Sequence, residues 1–286
     1  MRSIALLGNP DSGDGEAEQV EELLRHAGAS VQPFPLDEWR AAAASGAERL
    51  VVAGGDGSLG CAAAGAAKEG LPLAVVPTGT ANDFAAEIGI PDDTAAACEL
   101  AVSGEERRTL ELGRVGGRPF LNVASIGLAP MAAEHADDLK SRLGGLAYPV
   151  GAIKAGATAH PVSCRVSCDG EVVHDGEAWQ VSVASTGAFG GGASLEADAS
   201  DGRLDLVVIE GSSRIRLAKH AYGMRIGSVE GQSGVIDVRC STVELRLEDD
   251  DECLNVDGEL VPLAELLEDG VVRFSVEPAA FELIVG

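Results

Sequence analysis

Two short runs in this chain set small residues around an acid in a pattern suited to holding phosphate. Gly54-Gly-Asp-Gly-Ser58 directly follows the apolar Leu50-Val-Val-Ala53 and opens an alanine-rich stretch to about Ala67. Glycines let a backbone approach a phosphate closely and present its N–H groups, and a helix N-terminus adds favourable partial charge. Asp56 is the odd member, because its carboxylate repels phosphate unless it binds Mg2+, a ribose hydroxyl or a substrate proton. The same run also reads as a tight strand-to-helix turn with Asp56 as N-cap. Pro77-Thr-Gly-Thr-Ala-Asn-Asp83 stands in an equivalent place after Leu73-Ala-Val-Val76. Thr78, Thr80 and Asn82 supply neutral hydrogen-bonding groups there, and Asp83 either caps the next helix or orients a partner. Two such loops in adjacent strand–helix units face one cleft.

Two further acidic groups carry an alternative between chemistry and local structure. Asp257-Gly-Glu259 offers two carboxylates, yet Asp-Gly is a strong hairpin signal and the residues alone favour a turn. Asp198 and Asp201 lie in Glu196-Ala-Asp-Ala-Ser-Asp-Gly202. A hard cation such as Mg2+ takes carboxylate, carbonyl and water oxygens, so both acids and the main-chain carbonyl near Arg203 form part of a possible site. A polar turn before Leu204–Ile209 is the plainer reading. Cys61, Cys98, Cys164, Cys168, Cys240 and Cys253 show no paired metal spacing and read as reduced thiols. The scattered histidines suggest no nucleophile–base arrangement.

The elements that must position these residues change along the chain. Ile4–Leu7, Leu50–Ala53 and Leu73–Val76 are short, fully apolar strands. A helix is predicted from about Glu16 to Ala27, with Val20, Leu23, Leu24 and Ala27 on one face and Gly28 as its stop. Strands of this kind separated by helices imply a doubly wound, largely parallel sheet, in which ligands sit beyond the carboxyl ends of the strands. After about Ser125 the rhythm changes. Ser163–Ser167, Ala178–Ala184, Leu204–Ile209, Val235–Arg239 and Thr242–Leu247 read as strands of antiparallel sheets, with a helical stretch from Met131 to about Lys154 and final strands at Val271–Val276 and Phe281–Val285. The opening Met1-Arg-Ser-Ile-Ala-Leu-Leu reads as a buried first strand rather than a secretory signal, and no apolar run reaches the roughly 18 residues that span a bilayer.

Charge excludes one function class. With 21 basic against 46 acidic residues the formal net charge is −25, so the basic footprint of a nucleic-acid binder is missing. Only Lys68, Lys140, Lys154 and Lys219 are lysines. Acidic groups such as Glu248-Asp-Asp-Asp-Glu252 read as a hydrated surface adapted to high salt, where screening weakens self-repulsion.

The pairing of GGDGS at 54–58 with PTGTANDFA at 77–85 resembles the diacylglycerol kinase catalytic domain. The likeness is greatest to the bacterial soluble lipid kinases, which are similar in turn to sphingosine kinases and more remotely to NAD kinases and phosphofructokinases. It covers nearly the whole chain. Asn9-Pro10 with Ser12-Gly13 and Gly15, Phe120-Leu-Asn-Val-Ala-Ser-Ile-Gly127, Phe189-Gly-Gly-Gly192, Asp201-Gly-Arg-Leu-Asp205 and Asp257-Gly-Glu259 follow in family order. The chain departs from the pattern at Gly60 and Cys61, where the family usually has Asn and Glu, and at Ser185-Thr186-Gly187, where Asn-Gly is common.

The resemblance implies an α/β nucleotide-binding domain over 1–124, rejoined by 272–286, and a mainly antiparallel β-sandwich over 125–271 that holds lipid. ATP would be held by Gly54, Gly55, Asp56, Gly57, Ser58, Leu59 and Gly60 together with Gly79, Thr80, Asn82 and Asp83, with Asn9 supporting the loop beside them. Asp257 or Glu259 would take the proton of the lipid hydroxyl, Asp56 joining them as a catalytic acid group, and Mg2+ would come with ATP. A structural Mg2+ would sit at Asp198, Asp201 and the Arg203 carbonyl. The expectation is a cytoplasmic ATP-dependent kinase of diacylglycerol-like lipid, peripheral to the membrane during turnover, with monomer and homodimer both open. A kinase of a soluble metabolite and a non-catalytic nucleotide-binding regulator are the alternatives.

Overall fold

The computed structural model describes residues 1–8, 16–127, 160–186, 199–211, 234–249 and 252–286. Asn9 with the loop around it, the helix expected over 131–154, Phe189-Gly-Gly-Gly192 and Asp198 lie outside the described residues. The chain forms two compact units, one of Met1–Leu112, Ala199–Asp201 and Glu277–Gly286, the other of Gly113–Asp198 and Gly202–Val276. The change of rhythm read near residue 125 therefore compares with a division after Leu112.

In the first unit β1 (Arg2–Gly8), β2 (Ala29–Pro35), β3 (Arg49–Gly54) and β4 (Leu73–Pro77) are parallel, in the spatial order β4-β3-β1-β2. Leu50, Val51 and Val52 are completely buried, as a strand covered on both faces requires. Helices α1 (Glu16–His26) and α5 (Thr94–Ser103) pack together, as do α2 (Trp39–Ala43) and α3 (Asp56–Glu69), while α4 (Asp83–Ile88) follows β4. Helix α1 buries Val20 and Leu24 as its spacing predicts, and stops at Gly28 with φ +95°. Gly65 lets α3 close on α2: a Cβ there would lie 3.1 Å from Ala43 Cβ and 3.3 Å from Trp39 Cε3. Buried Arg49 donates to the carbonyls of Ala101 (2.8 Å) and Gly104 (2.6 Å), tying β3 to the end of α5.

The second unit is antiparallel. Strand β5 (Glu106–Val115) enters it and turns into β6 (Arg118–Phe120). The remaining strands are β7 (Val123–Gly127), β8 (Val162–Cys168), β9 (Glu171–Ala184), β10 (Leu204–Glu210), β11 (Val235–Cys240), β12 (Thr242–Leu247), β13 (Cys253–Val256), β14 (Glu259–Pro262), β15 (Leu267–Glu268) and β16 (Val271–Val285). Long β9 serves two sheets. Its first half pairs with β8, which continues to β12 and β16; its second half lies between β7 and β10, and β7 continues to β13 and β14. Val166, Val243, Leu245 and Phe274 from one sheet share a single core with Ile126, Val183, Leu206 and Val256 from the other. That shared core makes the unit a sandwich.

The two final strands read from the sequence are one strand in the structure. Residues Val272–Ser275 of β16 run antiparallel to β12, and Leu283 pairs in parallel with Leu73 of β4. Pro278 and Ala279 (φ +49°) lie between those pairings.

Candidate active site

In the order β4-β3-β1-β2 the chain runs outward to β2 on one side of β1 and to β3 and β4 on the other, and such a reversal is where a parallel sheet binds ligands, beyond the carboxyl ends of its strands. Gly54-Gly-Asp-Gly-Ser58 stands there. Helix α3 begins at Asp56 behind extended Gly55, and no side chain caps it among the described residues. Ser58 turns inward, its N–H and hydroxyl both donating to the Gly55 carbonyl at 3.0 and 2.7 Å. The first N–H groups of a helix have no partner within it, and at the start of a helix of this length they suit an anion.

The second loop is locked against the first. Thr78 N–H donates to the Gly54 carbonyl at 3.2 Å. A Cβ on Gly79 would lie 2.5 Å from Gly55 Cα and one on Gly55 3.1 Å from Gly79 Cα, so the two backbones meet where no side chain fits. Asn82, at φ +53°, clasps its own loop: its Oδ1 accepts from Gly79 N–H (3.0 Å) and its Nδ2 donates to the Gly79 carbonyl (2.8 Å). Thr80 is exposed at the tip, Gly57 is exposed on α3, and Leu59 and Gly60 are buried within that helix.

Asp56 accounts for how an acid sits in a phosphate-type loop. Its Oδ2 accepts from Asp83 N–H at 3.1 Å and its Oδ1 from Phe84 N–H at 3.0 Å. The carboxylate thus caps the N-terminus of α4, a helix in the neighbouring strand–helix unit, rather than its own. Its charge is matched by two amides and the positive end of α4. Asp83 is half-buried behind it, and burial first, then the Asp56 charge, raise its carboxyl above the ordinary carboxylate value.

In the second unit Asp257 and Gly258 form a two-residue connection between β13 and β14, with Val256 opposite Glu259 and φ values of +49° and +90°. Positive φ at both positions is the I′ hairpin turn that Asp-Gly favours. The turn also buries a carboxylate. Asp257 is only 8% exposed, and its carboxylate accepts from the N–H groups of Leu121 (2.7 Å), Asn122 (2.8 Å) and Val123 (3.0 Å). Its own N–H donates to the Val123 carbonyl at 2.9 Å. Glu259 is different: its side chain is 57% exposed and pairs with Arg118 at 2.5 Å. The structure therefore brings Asp257 into a fixed, buried setting and leaves Glu259 on the surface.

The remaining candidates are dispersed. Gly202 makes the sharp bend expected of it (φ +73°) and Asp201 is exposed beside it. With Asp198 outside the described residues, no group of three or more His, Cys, Asp or Glu side chains forms a metal cage among the described residues. Burial raises the Cys98 and Cys164 thiols to about 11 and raises Cys240 further, so none of these is a nucleophile at neutral pH. Sequence reasoning missed the partners of Asp257. The one local signal was Asn122, a polar residue between Leu121 and Val123 at the start of an apolar strand. No helix among the described residues is long and apolar enough to cross a membrane.

Two family models together match most of the chain. Residues 3–115 match the diacylglycerol kinase catalytic domain, and residues 122–285 match the C-terminal NAD kinase beta sandwich-like domain of YegS. The chain is 33% identical over 248 residues to "Probable lipid kinase YegS-like" of Pseudomonas aeruginosa, covering 85% of this chain and 78% of that protein. It is 30% identical over 216 residues to the diacylglycerol kinase of Bacillus subtilis, covering 73% and 70%. A crystal structure of a diacylglycerol kinase from Bacillus anthracis str. Sterne shares the fold, with TM-score 0.75 at 23% identity over 100% of this chain and 97% of that one. The chain belongs to the YegS-like lipid kinase family, with a diacylglycerol kinase catalytic domain at its N-terminal end.

Proposed function

We propose that the protein transfers the γ-phosphoryl group of ATP to a hydroxyl of a diacylglycerol-like lipid. The observation that carries this reading is the N-terminus of α3, without a side-chain cap at the carboxyl end of β3 in a chain of this family, with the one acid of its loop turned away into α4. Polyphosphate is the ligand for which such a surface is built. The backbone of residues 54–60 and the loop of Gly79 and Thr80 bind and orient the nucleotide, while Asn82 and Asp56 hold those loops in register. Asp83 and Asn9 belong to the same region of the reading. Mg2+ arriving with the nucleotide would supply charge neutralisation at the phosphates.

Asp257 is the general base in this scheme. The lipid hydroxyl oxygen bonds to the γ-phosphorus as the bond to the β–γ bridging oxygen breaks, ADP departs, and the hydroxyl proton passes to the Asp257 carboxylate. Glu259 orients Arg118 instead. The second unit holds the lipid, and the enzyme is cytoplasmic and meets the membrane peripherally.

One observation favours a soluble acceptor instead: a chain of charge −25 is repelled by an anionic bilayer unless salt screens the field. Radiolabelled ATP supplied with diacylglycerol in neutral micelles, and separately with a soluble metabolite extract, decides between them. Label in the organic phase supports the lipid reading; label only in the aqueous phase overturns it. ATP binding without transfer to either pool would make the chain a nucleotide-binding regulator.

A further inference from the structure

We propose that Asn122 and Thr186 are a positioning pair that fixes the amide cradle of Asp257, and through it the place of the base. The inference rests on the reading of Asp257 as base. Leu121 and Asn122 lie between β6 and β7, outside any strand ladder, although their N–H groups hold the carboxylate. A segment without ladder bonds needs another restraint if it is to hold a charge still.

That restraint comes from the end of β9. The Asn122 carbonyl accepts from Ser185 N–H at 3.0 Å. Its side-chain Oδ1 accepts from the Thr186 hydroxyl at 3.0 Å. Asn122, Ser185 and Thr186 are 4%, 0% and 2% exposed, so water does not compete for these groups. Asn122 thus faces two ways: its N–H binds the Asp257 carboxylate while its carbonyl and amide oxygen are pinned to residues more than sixty positions along the chain. Burial makes each bond directional and resistant to slippage, because an unmatched polar group there has no alternative partner in solvent. The geometry of a buried carboxylate base is set by such supporting bonds, and displacement of a reacting group by about 1 Å costs on the order of a hundredfold in rate.

Thr186→Val isolates the contribution, since valine keeps the shape and removes only the hydroxyl donor. Expected is a fall in kcat of about 10–100-fold with KM for ATP within about twofold, and recovery of most of the rate in Thr186→Ser, which keeps the donor. A purely structural role would instead lower the amount of folded protein and leave the kcat of the folded fraction alone. Amide hydrogen exchange gives a readout that needs no turnover: Leu121, Asn122 and Val123 should lose protection in Thr186→Val while Val181 and Val183 in the sandwich core keep theirs. Wild-type kcat in Thr186→Val, or wild-type protection at 121–123, overturns the pair. If the wild type itself transfers no phosphoryl group, the base reading has failed, and the exchange result alone supports or overturns Asn122 and Thr186 as the support of the cradle.

Discussion

Asp56 is placed to couple two loops, and replacing it with asparagine tests that coupling quantitatively. The carboxylate accepts from Asp83 and Phe84 N–H at 3.1 and 3.0 Å. Asparagine keeps one acceptor but aims an NH2 at the other amide, so one bond is lost and the survivor loses its charge. A side-chain cap contributes about 0.5–2 kcal/mol, and hydrogen bonds to a charged group about 1.5–3. Removing the Asp56 charge also relieves Asp83, which offsets part of the loss. The net expectation is about 1–2 kcal/mol of destabilisation, or roughly 2–8 °C in Tm at about 2–4 °C per kcal/mol. ATP affinity falls as well, because the loop of Gly79 loses its tether to α3. Asp83→Asn supplies the second arm of a double-mutant cycle. The folded-state pKa of Asp83 is raised, so its ionised form is disfavoured in the fold. Its cost is absent below the ordinary carboxylate pKa and accrues as pH rises through the interval between the unfolded and folded values. Asp83→Asn should therefore stabilise at neutral pH, not at pH 3, and by less when Asp56 is already Asn. Calorimetry across pH and titration calorimetry with a non-hydrolysable ATP analogue measure these quantities. Asp56→Asn melting within 1 °C of wild type, with unchanged nucleotide affinity, refutes the coupling.

Four further outcomes are expected. Gly79→Ala drives a Cβ to 2.5 Å from Gly55 Cα and should separate the loops, weakening ATP binding by roughly tenfold or more with little change in far-UV circular dichroism; unchanged affinity would show that the loops need not touch. Native alkylation at pH 8 should modify the half-buried Cys61, Cys168 and Cys253 in preference to the buried Cys98, Cys164 and Cys240, whose thiols burial holds protonated. Tm should climb as KCl rises from dilute buffer toward molar levels, because screening relieves the repulsion of a −25 chain; a flat curve would assign the acid another cause. Added Mg2+ without ATP should raise Tm in the wild type and not in the Asp198→Asn, Asp201→Asn double variant, whereas equal behaviour would dismiss a structural metal at that turn.

Much of the architecture was legible because its causes are local. Leu50–Ala53 and Leu73–Val76 are too apolar and too short for anything but strands buried on both faces, and the glycines after them mark strand-to-helix turns at the carboxyl ends. The Asp-Gly of 257–258 declared its hairpin by turn chemistry alone. The partners of the acids were not legible. Asp56 read as a ligand or as the cap of its own helix, yet it binds amides 27 and 28 residues onward, on a helix that reaches it only once β3 and β4 are paired. Asp257 read as a turn residue or a base, and the amides that hold it lie 134 to 136 residues upstream, brought within reach by β7 pairing with β13. Nor could composition show that β16 is one strand that pairs with several others, since an interrupting Pro278 looks like a break until the ladders on either side are known. Hydrophobic period and turn chemistry act over a few residues and are written in the order of the chain. A side chain bonded to a distant backbone amide depends on strand register, which is a property of the assembled sheet; tertiary structure alone decides which amides each acid holds.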